Sequence, residues 1–455
     1  MHKKIGFVST RFAGTDGVTL EAAKWAEVFE QNGHHCYWFA GKLEHDSDRS
    51  FLVPEAFFQD EKISRINSQI FGQKRRTPEV TQAIHELRSD IKQKLHEFIH
   101  RFEIDLLVAE NALAIPMHVP LGLALTEVIA ETQVPTIAHH HDFSWERIRF
   151  SVNAVSDYIR MAFPPHLPRI AHVVINSDAQ QQLAHRTGIS STVIPNVIDF
   201  ENPPLFGLDD AKVFRESIGL APDDIIILQP TRIIQRKGIE YAIELIQALK
   251  DPRCKLVVTH EAGDEGFEYV NWLKEHACEH QVDLRLIKTR NGEPAGEKNG
   301  QGLYSLWEFY PHADFITYPS LYEGFGNAFL EAIYFKKPIL VNRYDTFVRD
   351  IEPLGFDLAV MDGYLSRKTV QAVAEILHSG RRKEKMVNTN YAVAARHYSY
   401  HVLRNYLNTI MAGFFGDTVE KLIRKPHREP LAVKRKILPV SDWELGVRNC
   451  PMPAV

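Results

Sequence analysis

The segment from Phe315 to Pro338 constrains the fold more than any other part of the chain. A short apolar run, Phe315-Ile316-Thr317-Tyr318, ends in Pro319-Ser320. A glycine-containing turn, Leu321 to Gly326, follows, and an amphipathic stretch then leads into Lys336-Lys337-Pro338. This order predicts strand, tight turn and helix. Gly324 and Gly326 let the backbone approach a ligand closely, and the following helix start offers unpaired N–H groups to an anion. Two carboxylates flank that turn, Glu323 within it and Glu331 one to two turns into the helix. Phosphate-seeking backbone between two hydroxyl-seeking carboxylates suits a nucleotide sugar.

A pair of glutamates at this spacing, taken alone, marks a solvated helix face. The whole string from Tyr318 to Ala332 says more, because it resembles the C-terminal signature of the retaining glycosyltransferases of family four, which have the GT-B fold. The resemblance implies that Glu323 contacts the donor sugar and Glu331 the nucleotide ribose. Gly324, Phe325, Gly326 and Asn327 then belong to the same donor site. It runs from about residue 4 to about residue 415 and is far more specific in the second half of the chain.

With 455 residues the chain has room for two or three domains, and a 44% hydrophobic content supports sizeable cores. A formal charge of −5 gives no reason to expect a nucleic-acid partner. The cysteines Cys36, Cys254, Cys278 and Cys450 are widely spaced, which argues against a disulfide framework or a zinc cluster. The first residues have too short an apolar core for a signal peptide, and the best membrane candidate, Ala112 to Ala124, is broken by Pro116 and Pro120. These features lead to the expectation of a cytoplasmic protein.

The first half, residues 1–205, opens as β–α–β. Lys4 to Ser9 reads as a strand, a loop ending in Gly14-Thr15-Asp16-Gly17 turns the chain, and a helix runs from about Val18 to Gln31 before the strand His35 to Ala40. No acidic residue closes that second strand, so a dinucleotide site is unsupported. The resemblance places the glycine loop at the interdomain cleft, with Gly17 either approaching the donor or simply shaping the turn. Residues 41–100 break the alternation and read as an insertion with a helical pair, including Thr81 to His100, of no legible role.

Ile104 to Ala109 resumes as a buried strand, ending in Glu110-Asn111, and Val134 to Ala138 is another. The latter leads into His139-His140-His141-Asp142-Phe143-Ser144-Trp145-Glu146-Arg147-Ile148-Arg149. Adjacent residues of an extended chain face opposite sides, so three consecutive histidines cannot easily share one metal ion, and packing at a strand end is the plainer reading. The resemblance puts a catalytic histidine of the donor–acceptor junction at His141. Arg147 and Arg149 read either as a fork for an acceptor carboxylate or phosphate or as surface arginines in ion pairs. Asn111 joins His141 and the two arginines as a candidate acceptor-binding residue. Ala171 to Ser177 makes a further strand, and Pro195-Asn196-Val197-Ile198-Asp199 resembles the family's exit segment with a valine in place of its usual glycine.

In the second half, residues 206–400, Asp224 to Gln229 is a β-branched strand, and Arg232 to Gly238 turns into a helix near Ile239. The spacing Arg-x4-Lys-Gly resembles the family's diphosphate clamp, which makes Arg232 and Lys237 catalytic, holding the leaving phosphates where negative charge develops. Both are expected on a surface turn, with Arg236 a weaker candidate. Strands recur at Lys255 to Thr259, Asp283 to Lys288 and Pro338 to Asn342, and the loop Lys288 to Gln301 resembles by position the base-recognition edge. Residues 401–420 are expected to form a helix crossing back to the first domain. The basic tail, 421–455, is solvated or makes at most a peripheral contact with anionic lipid or a partner.

The expected architecture is α/β: two Rossmann-like, doubly wound domains of the GT-B type facing across a cleft. The resemblance implies retaining transfer of a hexose from a GDP-, UDP- or ADP-hexose to a hydroxyl acceptor, with no cofactor and no metal, Glu323 and His141 sharing the catalytic site with the clamp. Glu110-Asn111, the histidine segment and Asn342-Arg343-Tyr344 are similar to those of enzymes that mannosylate glucosylglycerate, a small anionic solute. A sugar-nucleotide epimerase or a phosphorylase of the same shape, and a catalytically silent sugar-nucleotide-binding protein, are the alternatives.

Overall fold

The computed structural model describes residues 2–14, 16–203, 211–259, 268–289 and 304–416. Met1–Ile410 form one compact unit. Met411–Val455 form a second, of which 411–416 are described and are helical up to Phe415. The expected basic tail and most of the expected base-recognition loop lie outside the described residues.

The first unit contains two parallel sheets. The first is built from β1 (Lys4–Val8), β2 (His35–Ala40), β3 (Ser50–Leu52), β4 (Leu106–Glu110), β5 (Thr136–His140), β6 (Ile170–Val174) and β7 (Thr192–Val193), in the order β3-β2-β1-β4-β5-β6-β7. The second is built from β8 (Ile225–Gln229), β9 (Cys254–Val258), β10 (Leu284–Leu286), β11 (Phe315–Tyr318), β12 (Ile339–Asn342) and β13 (Ala359–Met361), in the order β10-β9-β8-β11-β12-β13. Both orders reverse direction beside the first strand of the sheet, β1 next to β4 and β8 next to β11. In open sheets of this kind, ligands bind outside the strand C-termini at such switch points. Strands covered by helices on both faces read as nearly continuous apolar runs, which explains why Leu106–Ala109 and Ile226–Leu228 are wholly buried.

The helix Gly17–Gln31 starts where Asp16 accepts from the Val18 and Thr19 amides, satisfying two otherwise orphaned donors. Residues 41–100 hold β3 and the helices Glu61–Ile70 and Pro78–Phe102. Ile84, Leu87, Ile91, Leu95 and Phe98 turn one stripe of the longer helix into the core. Its polar edge reaches the helix Val119–Thr132 through Arg88 and Lys92, both paired with Glu127 at 2.7 and 3.0 Å. The insertion therefore enlarges the first core and extends the sheet edge by β3.

Several strand limits differ from the sequence expectation. The strand expected over 134–138 lies at Thr136–His140, because its ladder with β4 pairs Leu107 with Thr136 and Glu110 with His139. His139 and His140 are thus inside the sheet, not beyond it. The strand expected to reach Ser177 stops at Val174, and Asn176 instead caps the helix Ser177–Thr187, accepting from the Ala179 amide at 2.7 Å.

Within the first unit, the start of the helix Tyr400–Phe415 lies against the helix Gly17–Gln31. The Tyr400 hydroxyl donates to Glu27 at 2.8 Å and Arg404 donates to Gln31 at 2.8 Å. Among the described residues, no helix is long and apolar enough to cross a membrane.

Candidate active site

The turn after β11 and the turn after β8 are fastened to each other. The Leu321 amide donates to the Arg236 carbonyl at 2.9 Å. Gly238, at φ +62°, sits against the Pro319 carbonyl, and a Cβ there would come within 2.6 Å of that oxygen. Only glycine permits this approach. The contact brings Lys237 to Glu323, with which it forms a close ion pair, while Arg236 reaches the same carboxylate at 3.3 Å. The Lys237 ammonium also lies over the Tyr318 ring, 5.7 Å from its centre.

Lys237 is not the surface residue expected of a turn: it is only 8% exposed, as is Glu323. The reason is the docking of the two turns, which closes over the pair. Burial lowers the Lys237 pKa, with Glu323 opposing that shift. Burial would raise the Glu323 carboxyl, but Lys237 and Arg236 hold it below its ordinary value. Arg232 is exposed at the start of the same turn. Arg236, a weak candidate from sequence, is thus a direct partner of Glu323.

Glu331 lies on the helix Asn327–Tyr334 and accepts from the Tyr310 hydroxyl at 2.7 Å. Burial raises its pKa. Gly326, at φ +118°, begins that helix, and a side chain there would strike the Tyr344 hydroxyl at 2.7 Å. Tyr344 itself donates to the Phe325 carbonyl at 2.8 Å, so the turn's backbone is held from below.

The first sheet faces this turn directly. Asn176 donates to the Gly324 carbonyl at 2.6 Å, and Asn196 donates to Asn327 at 2.7 Å. A methyl group on Gly17 would lie 3.8 Å from the Asn327 amide nitrogen, and one on Gly324 would lie 3.8 Å from the His141 carbonyl. Residues singled out in the two halves, Gly17 and His141 on one side and Glu323 to Asn327 on the other, therefore meet in one place.

His141 is held from behind. Glu110, wholly buried, accepts from His139 Nδ1 at 3.0 Å and lies 3.4 Å from His141 Nε2. His139 stacks on Trp25 with ring centres 4.2 Å apart. His140 points the other way, to His172 at 2.9 Å, as the alternation of a strand requires. Burial opposes a charged His141, yet the hydrogen bond and charge of Glu110 raise its pKa. Glu110 in turn is held below the usual carboxylate range: burial acts against this, and the two histidines override it. The ligand atoms of Glu110, His139 and His141 lie within 4.8 Å of one another, as do those of His276, Glu279 and His280. In the first group the mutual hydrogen bonds account for the arrangement.

Asn111 adopts φ +57°, uncommon outside glycine, and spends its amide on the histidine loop. It donates to Asp142 at 2.8 Å and accepts from the His141 amide at 3.1 Å. It braces His141. Arg147 gives two nitrogens to Asp142, at 2.7 and 2.6 Å, and Arg149 lies over the Phe150 ring, 4.6 Å from its centre. Arg147 thus makes an ion pair, as in the second of the two readings, and Arg149 packs on an aromatic ring. Sequence reasoning attached no role to Glu110; a carboxylate at the end of a central strand, which must find a partner when buried, was the available signal.

Residues 210–393 match the family described as Glycosyl transferases group 1. The mannosylglucosylglycerate synthase of Petrotoga mobilis is 33% identical over 78% of this chain and 86% of its own length. The chain belongs to the group 1 glycosyltransferases. The mannosylglucosylglycerate synthase of Thermotoga maritima is 30% identical to this transferase over 89% of the chain and 99% of its own length. The structure of Anabaena Alr3699/HepE in complex with UDP and glucose superposes with a TM-score of 0.62 at 14% identity, over 90% of the transferase and 100% of that chain. At that identity the likeness concerns the fold, and the fold is GT-B.

Proposed function

We propose that this transferase moves a hexose from a nucleoside diphosphate sugar to a small acidic acceptor, with retention of anomeric configuration. Mannose as the sugar and glucosylglycerate as the acceptor are the pairing that the names of the two synthases above favour, and GDP-mannose is the donor proposed with them. The observation that carries the reading is the meeting, at Gly324, of the Glu323–Lys237–Arg236 cluster with the His141 loop of the other sheet. A HepE complex with UDP-glucose, on the same fold, supports a nucleotide-sugar donor.

In this reading Lys237 and Arg232 hold the leaving diphosphate, supplying the positive charge that its departure demands. An ammonium has three donors, so Lys237 can keep Glu323 while it binds a phosphate oxygen. Glu323, oriented by that pair, accepts from donor-sugar hydroxyls. Gly17, Gly324, Phe325, Gly326 and Asn327 form the backbone cradle of the donor, and His141 stands where donor and acceptor meet. Deprotonation of the acceptor by the leaving phosphate on the same face needs no further side chain.

The donor is tested by thermal shift with GDP-, UDP- and ADP-hexoses. A ligand at a hundredfold its dissociation constant adds about 2.7 kcal/mol, so one base should raise the melting temperature well above the others. The product anomer is then read by NMR coupling constants. An inverted product, or no stabilisation by any nucleotide sugar, refutes the proposal.

Glu331→Ala tests the ribose contact separately. Loss of a charged hydrogen bond should weaken nucleoside diphosphate binding about ten- to a hundredfold. Calorimetry that finds equal affinity in variant and parent rules out that role.

A further inference from the structure

A pocket of about 110 Å³ opens at the C-terminal ends of β1 and β4, beside the His141 brace. Ser9, Thr10, Arg11, Phe58, Asn111 and His118 contribute to its wall. The volume is enough for several water molecules, and so for a small polar fragment. Phe58 comes from the 41–100 segment, whose role the sequence left open.

We propose that this pocket takes the acid end of the acceptor and that Arg11 is the anchor for its carboxylate. The assignment rests on the acidic-acceptor reading above and adds the residue that enforces it.

Arg11 is pre-positioned. The adjacent Phe12 is stitched to the 42–44 backbone, its amide donating to Lys42 at 2.9 Å and its carbonyl accepting from Glu44 at 3.0 Å. The Arg11 guanidinium lies over the Phe58 ring, 5.4 Å from its centre. That ring and the ion pair with Asp16 restrain the guanidinium, so less rotational freedom is lost on binding.

The charges around the pocket leave Arg11 available. Glu110 is committed to His139 and His141. Asp16 caps its helix through the Val18 and Thr19 amides, accepts the Thr19 hydroxyl, and pairs with Nη2 of Arg11 at 2.9 Å. Among the described residues, that is the one ion pair of Arg11, and a guanidinium has five N–H donors in a planar fork. Thr10 lines the same pocket and brings a side-chain hydroxyl to its wall. A carboxylate entering there meets one fixed cation and one hydroxyl donor. Arg147, by contrast, already gives two nitrogens to Asp142.

The test compares a glucoside of glyceric acid with its primary amide as acceptors for the parent, Arg11→Gln and Arg11→Lys, with melting temperatures recorded for all three. The parent should favour the acid about ten- to a hundredfold in kcat/KM, the size of a charge-assisted hydrogen bond. Arg11→Gln should bring the ratio close to one. Arg11→Lys, which keeps the charge and loses the fork, should fall between, and it carries the test should the glutamine variant fail to fold. A parent that prefers the acid, with variants that keep the full preference, overturns the Arg11 assignment alone. A parent indifferent to acid and amide overturns the acidic-acceptor reading and this assignment with it. Calorimetry with the nucleoside diphosphate closes the remaining route: an equal loss of nucleotide affinity in Arg11→Gln would assign Arg11 to the donor instead.

Discussion

Lys237→Ala is expected to lower kcat by about 10²–10³, the usual cost of removing a donor aimed at developing charge. The structure adds a second consequence that the sequence did not suggest. Lys237 is buried against Glu323, so its removal leaves a carboxylate only 8% exposed with Arg236 as its remaining cation, at 3.3 Å. Breaking a buried pair from one side costs about 3–5 kcal/mol where no other partner remains, and Arg236 reduces that here. The variant should therefore be both slow and measurably less stable. Lys237→Met with Glu323→Gln, which removes both charges and keeps their volume, should recover stability without recovering turnover. Chemical denaturation and single-turnover kinetics separate the two effects. Near-normal turnover in Lys237→Ala would sink the clamp assignment, and unchanged stability would contradict the buried pair.

Glu110→Gln should destabilise the protein by about 3 kcal/mol, because two histidine partners lose a buried counter-charge. Glu110 has its pKa depressed in the fold, so its contribution is present above its unfolded pKa, about 4.3, and is lost as pH falls through the folded value. His141 has its pKa raised by Glu110 against burial, so its contribution is complete below the unfolded pKa of about 6.5 and is lost as pH rises through the folded value. The gap between parent and Glu110→Gln should thus be widest between about pH 4.3 and 6.5 and narrow on either side. If the charged imidazole is the active form, the alkaline limb of the parent's kcat/KM profile follows His141, and Glu110→Gln moves it to lower pH. A variant with the parent's stability across this range would show that Glu110 merely fills space.

The two halves of the site were legible to different degrees. The proposed donor side lies almost entirely in two short strings, Arg232 to Gly238 and Tyr318 to Ala332. Each string is a single strand–turn–helix unit, so sequence neighbours are also neighbours in space. Even there, burial is not legible in the sequence. Lys237 looks like a turn lysine, and only the docking of its turn onto Pro319 and Leu321 removes it from water.

The proposed acceptor side is less legible in sequence. Sequence points to Asn111 as a binding group, whereas its amide is used on Asp142 and on the His141 backbone. Arg147 and Arg149 are close in sequence, yet one turns to Asp142 and the other to Phe150. Arg11 and Phe58 are far apart in the chain, and only the fold brings them to one pocket wall.

By itself, the sequence determined the βα alternation, the strand-end position of the glycine turn, and the spacing of the cations and carboxylates on the proposed donor side. Those properties depend on backbone geometry over a few residues, where period and turn chemistry act locally. Only the tertiary structure decided which charges meet. Glu110 reaches His139 because β4 and β5 are adjacent and in that register, and Lys237 reaches Glu323 because β8 and β11 are neighbours. Strand order and register follow from how a whole sheet buries its faces, a global balance of packing that no single segment carries.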